Sequence, residues 1–289
     1  MNKVISYSLF GYNKVRQENC FDFHSYIRGL MINLRLARLI YPGWQVILQL
    51  DRPSYDGWKN FFHELTEKEI LQIRVHDEEA VLTKAMLWRL CPIFEEQLST
   101  HEWNNSHVIC RDLDSPISYR EAQAVQYWIN KDKAVHAITD SISHDVPMLG
   151  GMIGFRPAYF TERMNVKTFE QLIALNPNLD WTKKGMDQTF LTHNIYPKFA
   201  QHGTDSITQH YCLGMPNTFL SDYHNSIQDL ELPIPYEMKE SNDGCCHIGQ
   251  SGWNETGLFK FLFKHWDKFN DILEVESNYK SIFYWGNHE

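Results

Sequence analysis

His107-Val108-Ile109-Cys110-Arg111-Asp112-Leu113-Asp114-Ser115-Pro116 is an apolar strand that runs directly into a D-x-D sequence and a proline. On an extended chain, side chains two residues apart point the same way, so Asp112 and Asp114 can face one ligand together. Two neighbouring carboxylates repel unless a cation stands beside them. A hard divalent ion with oxygen ligands removes that repulsion and can also hold a diphosphate. The plainer alternative is a pair of solvated turn aspartates ahead of Pro116. Where the pair sits in the chain decides between the two.

Three strand–helix units precede it. Residues 4–10 read as a strand broken by Gly11-Tyr12-Asn13. Residues 24–41 carry Ile27, Leu30, Met31, Leu34, Ala37 and Tyr41 at helical spacing, with Arg28, Arg35 and Arg38 mostly off that stripe. Pro42-Gly43 ends the helix. A strand over 45–50 stops at Asp51-Arg52-Pro53, and a helix with Trp58, Phe61, Phe62 and Leu65 follows. Residues 70–75 form a third strand. Residues 82–98 form a further helix, which Pro92 is expected to kink. This alternation implies a mainly parallel sheet covered on both faces. Ligands of such sheets bind at the carboxyl ends of strands, which is where the D-x-D falls.

Downstream, Ser118 and Glu121 form an S-x-x-E capping box. The helix they open has Ala122, Val125, Trp128 and Ile129 on one face. A strand is expected over 134–138, with Asp140 and His144 in the loop after it. Residues 148–155 hold Gly150, Gly151 and Gly154 within an apolar run, a sign of close backbone or ligand approach. Residues 160–175 and 186–194 read as partly helical, 199–236 as irregular, 245–252 as a polar loop and 258–269 as a last helix. There is no internal repeat and no linker, so a single domain over 1–289 is expected.

Of the 289 residues, 43% are hydrophobic and 22% charged, as in ordinary folded proteins, and the net charge is −9 with no basic run. An extended nucleic-acid surface is therefore not expected. The rings, 14% of the chain, serve as core or as sugar platforms. None of the six cysteines forms a C-x-x-C pair, which argues against a zinc ribbon and for a reducing compartment. With no signal-like start and no apolar window of membrane-spanning length, a cytoplasmic protein without a membrane span is the expectation.

The 111–115 stretch, Arg120-Glu121 and Gly150-Gly151-Met152-Ile153-Gly154 together resemble the core of glycosyltransferases of the GT-A fold. Gly185-Met186-Asp187-Gln188 is similar to their acceptor-side "DQ" helix. Cys246-His247-Ile248-Gly249 resembles the histidine–glycine motif of the glycogenin and galactosyltransferase-like group. A departure from that group is the stretch Gln250-Ser251-Gly252-Trp253, which lacks the group's lysine.

The resemblance implies a Rossmann-type, mostly parallel sheet flanked by helices. Residues 1–120 would form the nucleotide-sugar half. Residues 121–289 would form the acceptor half and a C-terminal metal-binding loop. It implies Mn²⁺ (or Mg²⁺) held by Asp112, Asp114 and His247. It implies a nucleotide-sugar site of Ser6, Tyr7, Ser8, Gly11, Arg28, Arg111, Asp112, Gly150, Gly151 and Gly249, with Asp187 and Asp140 as catalytic carboxylates. The donor expected is a UDP-sugar, with a GDP-sugar as the alternative, and the acceptor a glycan or other hydroxyl compound. Competing readings are a phosphohydrolase of the haloacid dehalogenase type, a nucleotidyltransferase, and a non-catalytic carbohydrate-binding protein. In the first of these the D-x-D opens the first strand, whereas here it follows the fourth.

Overall fold

In the first strand, β1 (Lys3–Leu9), successive side chains go to two different cores. Val4 joins one, while Ile5, Tyr7 and Leu9 join the other. The same alternation recurs where Val108 and Cys110 oppose Ile109, as a pleated strand buried on both faces requires. A computed structural model describes residues 2–12, 23–96, 105–139, 146–200, 206–211 and 228–231. Among them, helix α1 (Phe23–Ile40) is followed by β2 (Gln45–Asp51), α2 (Arg52–Gly57), α3 (Lys59–Glu67) and β3 (Gln72–His76). Next come α4 (Leu82–Met86), a 3-10 helix (Leu87–Phe94), β4 (His107–Arg111), α5 (Tyr119–Lys131), β5 (Val135–Thr139) and β6 (Met152–Phe155). The order ends with α6 (Pro157–Met164), α7 (Phe169–Ile173), α8 (Met186–Phe190), a π-helical turn (Leu191–Ile195), α9 (Tyr196–Phe199), β7 (Ile207–Tyr211) and β8 (Gln228–Glu231).

The eight strands form one sheet in the order β3-β2-β1-β4-β6-β5-β7-β8. All pairings are parallel except those of β6, which runs antiparallel to both β4 and β5. The expected mostly parallel α/β architecture is thus present. One face packs against α1, α3 and α5. Ile27, Leu30, Met31 and Leu34 of α1 are at most 1% exposed there, and burial of each such side chain stabilises by roughly 1.5–3 kcal/mol. The other face packs against the 3-10 helix, α6 and α8, through Trp88, Leu90, Phe160 and Phe190. No helix among the described residues is long and apolar enough to cross a membrane.

Three local expectations need correction. The helix expected over 82–98 turns into a 3-10 helix at Leu87 and stops at Glu95, whose N–H donates to Pro92 O at 3.2 Å. Pro92 has no N–H and crowds the carbonyl four residues back, so α-helical bonding cannot pass through it. Arg35 is not off the buried stripe: it is itself buried, and that burial pulls its guanidinium down to about 10. The stretch 199–236, read as irregular, contains β7 and β8. Their residues Thr208, Gln209, His210 and Gln228 give no apolar pattern, and the pairing partner, β5, supplies the order instead.

His107 opens β4 and is buried edge-on against Trp128, with ring centroids 4.9 Å apart. Nδ1 meets Asn105 O at 2.9 Å, and burial pushes the imidazole down to about 4. The folded state therefore holds His107 neutral where the unfolded chain takes a proton. Its stabilising contribution is complete above the ordinary histidine value near 6.5 and is lost as pH falls from there towards 4. The expected loss is roughly 3 kcal/mol. Urea midpoints at pH 7, 5.5 and 4.5 should fall more steeply for the native chain than for His107→Gln; parallel profiles would contradict the assignment.

Candidate active site

β4 ends at Arg111, and the loop after the parallel neighbour β1 opens at the same edge of the sheet. β6 runs the other way, so its leading end arrives there too. The register pairs Arg111 with Met152, which sets Gly151 against Asp112. A Cβ on Gly151 would stand 1.8 Å from Asp112 Oδ2, so only glycine lets that carboxylate keep its place. Gly151→Ala should turn Asp112 out of the site. Misplacement of that order costs about 100-fold in turnover, against a stability loss of only about 1–3 kcal/mol from overpacking. Thermal melts and donor turnover of the variant would separate the two effects.

Asp112 is anchored by a residue that sequence reasoning missed. Arg89 on the 3-10 helix forms an ion pair with Asp112 Oδ1. Its Nε donates to Met86 O at 2.6 Å, and its own carbonyl accepts from Cys110 Sγ at 3.4 Å. Burial disfavours the charged guanidinium, but Asp112 and then Asp187 outweigh it, so its pKa is raised. The only signal in the sequence was a lone Arg inside the apolar run Met86-Leu87-Trp88-Arg89-Leu90. Such an arginine inside a buried helix needs a carboxylate partner.

Asp187 joins the same cluster. It lies in the first turn of α8 after Gly185, which holds φ 82. A Cβ on Gly150 would lie 3.5 Å from Asp187 Oδ2 and 3.8 Å from Arg89 Cζ. Carboxylate and guanidinium therefore face one point above that glycine. Burial raises the pKa of Asp187, with Arg89 opposing. On the far side of the D-x-D, Tyr26 of α1 has its phenol raised by burial and then by Asp114 and Asp112.

The remaining expected residues divide. Gly11 turns the chain after β1 with φ 82, and its N–H donates to Asp51 Oδ2 at 3.0 Å. Ser8 is half-buried, and its hydroxyl donates to Met86 O at 3.4 Å. Arg28 is half-buried on α1. Ser6 and Tyr7 are wholly buried on opposite faces of β1. Arg111, expected to neutralise a diphosphate, points inward instead. It donates to Glu121 Oε1 at 2.5 Å and to Cys110 O and Ile153 O. As a strand residue of the other parity from Asp112, it faces the α1 core. The Glu121 carboxylate is taken up by this pair, while Ser118 Oγ caps α5 by accepting from the Glu121 backbone N–H at 3.2 Å. Asp140, His144, His247 and Gly249 lie outside the described residues.

Among the described residues no group of three or more His, Cys, Asp or Glu gathers round one point. The described residues expected to hold a divalent ion are Asp112 and Asp114. The pair suits a hard cation: both are oxygen donors, and the Asp112 side chain is 41% exposed despite its arginine partner.

Fold and cluster together define an α/β protein with Asp112, Arg89 and Asp187 gathered at the carboxyl edge of a mostly parallel sheet. No protein-family model matches the chain, and comparison with curated proteins gives no match. Similar solved structures include HddC from Yersinia pseudotuberculosis, 12% identical with TM-score 0.40, covering 76% of this chain and 97% of that one. The mannosyltransferase PcManGT from Pyrobaculum calidifontis, in complex with GDP-Man and Mn²⁺, is 13% identical with TM-score 0.41 over 97% of this chain and 67% of its own. Mouse xyloside xylosyltransferase 1 is 12% identical with TM-score 0.38, over 80% and 95%.

Proposed function

We propose that the protein is a glycosyltransferase of the GT-A type, moving a sugar from a nucleoside diphosphate donor to a hydroxyl acceptor. The observation that carries this reading is the convergence of Asp112, Arg89, Asp187 and the Gly150–Gly151 wall at one strand edge. Asp112 and Asp114 would hold Mn²⁺ or Mg²⁺, with His247 as a further ligand implied by the resemblance. The ion would supply Lewis-acid stabilisation of the leaving diphosphate. Arg89 fixes the Asp112 carboxylate, leaving Oδ2 for the ion or a donor hydroxyl. Asp187 accepts hydrogen bonds from sugar hydroxyls above Gly150. Its raised pKa makes it a stronger base than a free aspartate, which suits proton removal from an acceptor if the reaction inverts configuration. The β1 edge, with Ser8 and Gly11, bounds the nucleotide. Residues 1–120 then serve the donor and 121–289 the acceptor, with Asp140 as a second carboxylate candidate.

The test is a thermal-shift and turnover screen of UDP- and GDP-sugars with Mn²⁺ or with EDTA, reading free nucleoside diphosphate. Metal-dependent stabilisation by one nucleotide class, with slow diphosphate release, supports the reading and names the donor. Sugar binding indifferent to EDTA would favour a carbohydrate-binding protein. Pyrophosphate release from a nucleoside triphosphate would favour a nucleotidyltransferase.

A further inference from the structure

The D-x-D loop is held by a helix as well as by its own turn. The backbone turn bond across it, from Ser115 N–H to Asp112 O, is long at 3.3 Å. The stronger grip comes from α1. Asn33 Nδ2 donates to Leu113 O and to Ser115 O, each at 3.2 Å, and Asn33 Oδ1 accepts from Ile117 N–H at 3.0 Å. One buried amide thus ties three backbone groups on both sides of Asp114. One turn earlier on the same helix face, Gly29 lets the loop come close: a Cβ there would stand 2.1 Å from Leu113 O. Tyr26, Gly29 and Asn33 follow the spacing of one helical stripe, and Gly29 and Asn33 meet the loop at Leu113, Ser115 and Ile117.

We infer that Asn33, seated through the gap at Gly29, is a positioning residue that sets the relative placement of the Asp112 and Asp114 carboxylates for a divalent cation. This rests on the reading of those two aspartates as metal ligands. The buried amide has both a donor pair and an acceptor, and the loop uses all of them. No other residue type of that size offers two N–H donors to carbonyls and an oxygen to an N–H from one planar group. A carboxylate in its place would face Leu113 O and Ser115 O with like charge and push the loop off the helix.

The test is Mn²⁺ titration of the whole, metal-stripped chain, reading free Mn²⁺ by electron paramagnetic resonance. No nucleotide sugar is present, and thermal melts run alongside. Asn33→Asp is expected to weaken Mn²⁺ binding at least tenfold. Its added negative charge by itself would tighten cation binding, so a loss has to come from loop geometry. Gly29→Ala should weaken Mn²⁺ binding similarly while favouring the helix intrinsically. It carries the test if Asn33→Asp does not fold. A lowered melting temperature with unchanged Mn²⁺ affinity in both variants would reduce Asn33 to a structural residue and overturn the inference alone. Failure of the native chain to bind Mn²⁺ would overturn the metal reading of the aspartates and this inference with it.

Discussion

Asp114→Ala is expected to abolish Mn²⁺-dependent stabilisation by a nucleoside diphosphate and to lower donor turnover by on the order of 100- to 1000-fold. That is the range seen when one group stabilising transition-state charge is removed. Stability should change little, because Asp114 is a half-buried loop residue whose removal leaves the strand pairing of β4 untouched. The experiment compares melting curves with Mn²⁺ and with EDTA, then diphosphate release at saturating donor. Turnover within threefold of native would leave Asp114 as a turn residue and overturn its metal role. Arg89→Ala offers a second view of the same site. It leaves Asp112 without its partner and should lower turnover without removing the carboxylates themselves.

Glu121→Ala should have the largest effect on stability. Arg111 and Glu121 side chains are each 2% exposed and paired at 2.5 Å, and Tyr41 donates its hydroxyl to the same Glu121 oxygen at 3.1 Å. Removing the carboxylate strands a buried guanidinium and a phenol. Breaking one side of a buried pair costs roughly 3–5 kcal/mol, a fall of on the order of 10 °C in Tm for a chain of this size. Replacing both partners by apolar residues, Arg111→Met with Glu121→Leu, should recover most of that loss, because no uncompensated charge remains. If the double variant is less stable than Glu121→Ala, the pair does more than satisfy itself. Its bonds to Cys110 O and Ile153 O, which tie β4 to β6 beside Asp112, would then be the part that matters.

Much of the frame was legible because it is written in short-range periodicity. The stripe Ile27, Leu30, Met31, Leu34 marks α1, and the parity of Val108, Ile109 and Cys110 marks a strand buried on both faces. The cap at Ser118 was legible as well. The candidate site was legible in its carboxylates and glycines, less so in its cations. Arg111 stands beside Asp112 in sequence and was read as a site residue, yet strand parity turns it to the opposite core. Arg89, 23 residues away from Asp112, is the arginine that reaches it.

By itself, then, the sequence determined the strand–helix alternation, the placement of Asp112 and Asp114 at a strand's carboxyl end, and the glycines at 150, 151 and 154 as a sign of close approach. These follow from patterns spanning ten to twenty residues at most. Only the tertiary structure decided that β6 runs antiparallel and so sets Gly151 against Asp112. It also decided that Asn33, 80 residues from Leu113, holds the D-x-D loop. The order and direction of strands in a sheet are settled by packing over the whole chain, and no local periodicity records which distant side chain that packing will bring alongside.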